Sequence, residues 1–129
     1  MNDERRGRIL VVDDDDDIRL LVGTILTRAG YTLLQTASGR GGLEIAGHES
    51  LDLILLDLHV PDLDAWTFLV RAWEDKRVKK VPVVMFTASD DEVVAARARA
   101  WGCRDFLRKP FTPDQLLQVV EGAMSPAPS

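Results

Sequence analysis

Asp13 and Asp14 follow directly on the apolar run "ILVV", Asp57 on "LILL" and Thr87 on "VVMF", while Lys109 closes "DFLRK". Brought together, these residues form a recognisable chemical set. Three close carboxylates cannot all stay ionised cheaply without a cation. An all-oxygen ligand set suits a hard one, and Mg²⁺ takes octahedral oxygen ligands while keeping some of its water. A carboxylate beside such a cation, with an ammonium and a hydroxyl at hand, is arranged to accept a phosphoryl group. The cation and Lys109 neutralise the phosphoryl oxygens, and Thr87 donates a hydrogen bond to one of them. Asp57 ends an otherwise apolar stretch, where a carboxylate without a role is costly.

The set works only if the chain brings those positions together, and two hydrophobic periods alternate along it in a way that does so. Ile9–Val12 reads as a strand buried on both faces. Ile18, Leu21, Val22, Ile25 and Ala29 recur at helical spacing over residues 16–29, and Gly30 stops that helix. Further strands are predicted over 31–37, 51–58, 81–88 and 104–109. Further helices are predicted over 39–50, 65–75, 90–102 (ending at Gly102) and 112–124, the last capped by Thr112 with Pro113 in its first turn. Short apolar strands alternating with helices imply a doubly wound α/β fold, a parallel sheet with helices on both faces and right-handed crossovers. Sites in such sheets form at the carboxyl ends of the strands, and Asp13, Asp14, Asp57, Thr87 and Lys109 all stand at those ends. The run of five aspartates, Asp13–Asp17, is thereby divided. Its first two members are site residues, and Asp15, Asp16 and Asp17 fall at a helix start, where acidic side chains complement the dipole.

Composition removes several alternatives. With a net charge of −5 and a pI of about 4.9, the domain has no electrostatic grip on nucleic acid. No apolar run approaches the roughly 18 residues of a membrane span, and "MNDERRGR" lacks the apolar stretch of a signal peptide. Cys103 is the single cysteine, so no internal disulfide forms, which suits a reducing cytoplasmic setting. It reads as a small packing residue. "ASGRGG" lacks the lysine of a phosphate-cradling loop, and His48 and His59 lack zinc-ligand spacing. The predicted organisation is a lead at 1–7, one domain over 8–124, and a flexible tail or the start of a linker over 125–129.

The motifs "ILVVDDD" (9–15), "DLILLDLHVPDLD" (52–64), "VPVVMFTA" (81–88) and "DFLRKPF" (105–111), in this order and spacing, resemble the receiver domain of two-component response regulators. The resemblance implies a flavodoxin-like sheet of order 2-1-3-4-5. It also implies phosphorylation on Asp57 from a histidine kinase or phosphotransfer protein, with Mg²⁺. Asp14 and Asp57 would ligate the metal directly, Asp13 largely through water, and the backbone carbonyl of His59 would complete the protein ligands. Thr87 and Phe106 match the family's switch pair and Lys109 its lysine, and a cis bond often precedes the proline that is Pro110 here. The implied partners are the phosphodonor protein, a downstream output domain or protein, and a second copy of the chain. Such a domain assists its own phosphotransfer and dephosphorylation without acting on an external metabolite.

Two other classes compete. A Mg²⁺-dependent phosphohydrolase using an aspartyl phosphate usually carries a second aspartate two residues after the nucleophile, where His59 stands here, and a cap domain for which this chain is short. A receiver-like interaction module that takes no phosphate has no need of the acidic set with Thr87 and Lys109. Ala65 departs from the family's usual glycine and would strain its loop if that position needs positive φ. Asp62 and Asp64 read as turn and cap residues ahead of the third helix. That helix carries one stripe of Ala65, Phe68, Leu69 and Ala72, and a second of Trp66, Val70 and Trp73. The second stripe either wraps the edge of the core or faces a partner.

Overall fold

The computed structural model describes residues 6–88 and 92–124. Ten elements alternate: β1 (Arg8–Val12), α1 (Asp16–Arg28), β2 (Thr32–Thr36), α2 (Gly39–His48), β3 (Leu53–Asp57), α3 (Ala65–Glu74), β4 (Val83–Thr87), α4 (Glu92–Ala100), β5 (Asp105–Arg108) and α5 (Pro113–Met124). Every strand pairing is parallel, and the order is β2-β1-β3-β4-β5. This is the flavodoxin-like arrangement. Residues 1–5, the tail 125–129 and the expected start of the fourth helix at Asp90 lie outside the described residues. Arg6 donates its N–H to the Gly30 carbonyl at 3.0 Å, and the Gly7 carbonyl accepts from Thr32 at 2.8 Å.

Alternation within the strands builds two cores from one sheet, because successive side chains point to opposite faces. Ile9, Val11, Leu53, Leu55, Val84 and Phe86 pack against Val22 and Leu26 of α1 and Leu116 and Val120 of α5. Leu10, Val12, Ile54, Leu56, Val83 and Met85 pack on the other face, against Ala46 of α2, Phe68 and Leu69 of α3, and Ala98 of α4. A strand buried on both faces therefore reads as a continuous apolar run.

Helix ends follow local chemistry. Asp15 caps α1, its side chain accepting from Asp17 and Ile18 N–H. Gly30 (φ +101°) and Gly102 (φ +93°) end α1 and α4 in paired reverse bonds: Tyr31 to Leu26 with Gly30 to Thr27, and Cys103 to Ala98 with Gly102 to Arg99. At α5, Thr112 and Gln115 exchange side-chain-to-backbone bonds at 3.1 and 2.8 Å, a capping box. One helical position differs from expectation. Leu21 is 43 % exposed, and Leu26 takes the buried place in α1. A helix turns about 100° per residue, so Leu21 lies at the margin of the stripe centred on Val22.

The first stripe of α3 is buried as expected, with Ala65, Phe68, Leu69 and Ala72 all at 0–1 % exposure. Its second stripe wraps the core edge. Trp66 and Trp73 are half-buried, and their rings lie 5.5 and 6.3 Å from that of Trp101, just past α4. The Arg97 guanidinium sits 4.2 Å from the Trp66 ring, and Trp73 packs on the bare Cα of Gly102. Val70 alone of the stripe remains 39 % exposed. Trp66→Ala and Trp73→Ala should each destabilise by about 2 kcal/mol, below the roughly 3–5 of a fully buried aromatic. Urea unfolding measures this. Parental stability in both variants would contradict the packing role.

Candidate functional site

The order of the strands reverses between β1 and β3, and ligands of open α/β sheets bind in the crevice outside the carboxyl ends at that point. Asp13 and Asp14 leave β1 there and Asp57 ends β3. One carboxylate oxygen from each lies within 4.8 Å of the others. Asp13 is fully buried, Asp57 is 5 % exposed and Asp14 faces solvent. Lys109, just beyond β5, donates its N–H to the Thr87 carbonyl at 2.7 Å, which joins the ends of β4 and β5. Its ammonium donates to Asp13 Oδ2 at 2.8 Å and lies 3.5 Å from Asp57 Oδ1. The Lys109–Pro110 peptide is cis. Thr87, fully buried, ends β4 beside Asp57, since Asp57 pairs in register with Phe86.

The electrostatics favour a cation. Burial pushes the Asp57 carboxyl above its usual range; the Lys109 ammonium pulls it down, and the Asp13 charge adds to the rise. The Lys109 ammonium thus lies against two of the three gathered carboxylates, both of them buried. An oxygen-only cluster with one open side fits a hard divalent cation that keeps part of its water.

The description "response regulator receiver domain" belongs to the family model that matches residues 9–121. The chain belongs to that family. It is 34 % identical over 116 residues to the transcriptional regulatory protein GltR of Pseudomonas aeruginosa, covering 90 % of this chain and 48 % of that protein. Protein PilH of the same organism is 27 % identical, with 92 % of this chain and 98 % of PilH covered. Among solved structures, the chemotaxis response regulator CheY4 of Vibrio cholerae superposes with a TM-score of 0.84 at 30 % identity, covering 89 % of this chain and 96 % of that one. The chain spans about half the length of several curated relatives that it matches, 44–48 % in three of them. Among the described residues, no helix is long and apolar enough to cross a membrane.

Beside the acidic set, this receiver domain places one residue that the sequence did not single out, Arg19, and positions others that it did. Arg19 donates through Nη1 to the Asp13 carbonyl at 2.7 Å and pairs with Asp16, so it fixes the turn that carries Asp13 and Asp14. The i, i+3 spacing of Asp16 and Arg19 was the available signal. His59 is exposed and donates its N–H to Asp57 Oδ1 at 3.3 Å. Phe106 is half-buried, its ring 5.9 Å from the Arg108 guanidinium, and Arg108 pairs with Glu92 at 2.6 Å. Cys103 is buried, which pushes its thiol up to about 12 and leaves it a packing residue.

Asp64 caps α3, accepting from Trp66 N–H. Asp62 does not cap that helix. Its carboxylate turns to α2 and accepts from Gly39 N–H at 2.7 Å and Arg40 N–H at 3.1 Å. The N–H groups of Arg40 and Gly39 hold its carboxyl below the usual range. Ala65 is the first residue of α3, and no described non-glycine residue has positive φ. Alanine therefore introduces no backbone strain in place of glycine.

Proposed function

We propose that the domain takes a phosphoryl group onto Asp57 from a histidine kinase or phosphotransfer protein and so changes the surface it offers to an output domain or protein. The observation that carries this is the meeting of Asp13, Asp14 and Asp57 within 4.8 Å of one another with the Lys109 ammonium between two of them. Asp14, Asp57 and the His59 carbonyl are the proposed direct ligands of Mg²⁺, and Asp13 acts through water. When bound, the ion supplies positive charge that lowers the repulsion between the acceptor carboxylate and the incoming phosphoryl oxygens.

An Asp57 oxygen attacks phosphorus as the phosphorus–nitrogen bond of the phosphohistidine breaks. The imidazole leaves with that electron pair and takes up a proton. Lys109 stays hydrogen-bonded to Asp13 and offers its remaining protons to the phosphoryl oxygens. The Thr87 hydroxyl donates to another of those oxygens, and Phe106 turns with it as the switch partner. This geometry also assists hydrolysis of the acyl phosphate.

The relatives support the assignment of partners. Several are longer transcriptional regulators, such as GltR and the DNA-binding transcriptional regulator NtrC of Escherichia coli, of which this chain covers 48 % and 25 %. Incubation with a small phosphodonor and Mg²⁺ should add one acid-stable, base-labile phosphoryl group per chain, and chelation of Mg²⁺ should prevent it. A chain that stays unmodified under these conditions and with kinases of its own source contradicts the proposal.

A further inference from the structure

The loop between β3 and α3, residues 58–64, carries His59 next to Asp57, and Leu58, Asp62 and Asp64 tie it down by hydrogen bonds. Leu58 N–H donates to the Phe86 carbonyl at 2.9 Å where the loop begins, and the Asp64 side chain caps α3 where it ends. In the middle, Val60 and Leu63 are buried in the core, and Asp62 adds two bonds to the first turn of α2. That end of α2 is fully furnished as a result. Asp62 takes the Gly39 and Arg40 donors, and Ser38 takes the Gly41 donor at 2.9 Å. A negative carboxylate at a helix N-terminus is favoured by both the free N–H groups and the dipole. The approach is close on the apolar side too. A Cβ at Gly39 would lie 2.8 Å from Leu63 Cβ, so only glycine lets the loop seat on the helix.

We infer that Asp62 is a positioning residue for the phosphoryl-acceptor site: it clasps the β3–α3 loop to α2 and thereby sets where the His59 carbonyl stands relative to Asp57. The inference rests on the metal site proposed above and deepens it. Loops that hold ligands need a supporting shell, and removal of such support commonly weakens metal binding although no ligand is lost. Asp62 lies five positions after Asp57 and is exposed, so its clasp acts through backbone placement and not through its charge at the metal.

The experiment compares Asp62→Ala with Ser38→Ala. Each removes side-chain acceptors from the same end of α2, but only the first frees the loop. Thermal unfolding of the metal-free proteins should show lowered midpoints for both. Calorimetric titration with Mg²⁺ alone should show roughly ten-fold weaker binding for Asp62→Ala, and Ser38→Ala should bind as the parent does. Asp62→Asn, which retains one acceptor oxygen, should fall between. In the metal-free chain, amide exchange at residues 59–63 should quicken in Asp62→Ala and not in Ser38→Ala. Parental Mg²⁺ affinity in Asp62→Ala, or equal weakening in both variants, overturns the positioning role. Asp14→Ala separates this from the underlying site. If it loses Mg²⁺ while Asp62→Ala keeps it, only the clasp is wrong. If it binds Mg²⁺ as the parent does, the site fails and the clasp's role fails with it.

Discussion

Asp57→Asn is expected to abolish phosphorylation and, at the same time, to raise the stability of the metal-free domain. The first effect follows from chemistry, because the amide oxygen cannot replace the carboxylate as the nucleophile. The second follows from burial. The Asp57 carboxyl is raised above its usual range, chiefly by desolvation and further by Asp13. The folded chain therefore binds that proton more tightly than the unfolded chain. Its stability falls as pH rises from about 3.9, the ordinary aspartate value, through the raised folded value. Asparagine removes that loss, so the variant should unfold at higher temperature than the parent at neutral pH, and the gap should close as the pH drops below the carboxylate range. Mg²⁺ should stabilise the parent more than the variant, since a ligand stabilises only the state that binds it. Phosphodonor labelling and thermal melts across pH, with and without Mg²⁺, measure both effects. Parental labelling of Asp57→Asn would remove Asp57 as the acceptor.

Lys109→Ala is expected to act in the opposite sense on stability. Asp13 is fully buried, and the ammonium at 2.8 Å is its charged partner, with Asp57 3.5 Å from the same nitrogen. Removal of one member of a buried pair leaves the other charge uncompensated, at a cost of about 3 kcal/mol. Mg²⁺ should restore part of that loss, because the acidic set keeps its oxygens. Phosphorylation should slow strongly even with metal present, since the ammonium that among the described residues pairs with the acidic set is then missing from the phosphoryl oxygens. Urea titrations with and without Mg²⁺, alongside labelling rates, check each part. Unchanged metal-free stability would show that solvent already screens Asp13.

Much of this domain was legible along the chain. The alternation of apolar runs with helical stripes predicted all ten elements in order, and Gly30, Gly102, Thr112 and Pro113 marked helix ends where they occur. These signals are local. A cap acts within one turn, and a strand buried on both faces must be apolar throughout. The same pattern put Asp13, Asp14, Asp57, Thr87 and Lys109 at the carboxyl ends of strands, where sites of open α/β sheets form, and the resemblance supplied the sheet order. Tertiary structure alone decided contacts between residues far apart in sequence. Lys109 bonds Asp13 across 96 positions, and Asp62 reaches back 23 positions to Gly39 instead of capping the helix beside it. Likewise, Trp66 and Trp73 suggested a partner face or a core edge until Trp101 and Gly102, beyond α4, supplied the surface they cover. Residue type states what a side chain needs, whether a donor, an opposite charge or an apolar neighbour; which distant element meets that need depends on how the helices pack across the sheet.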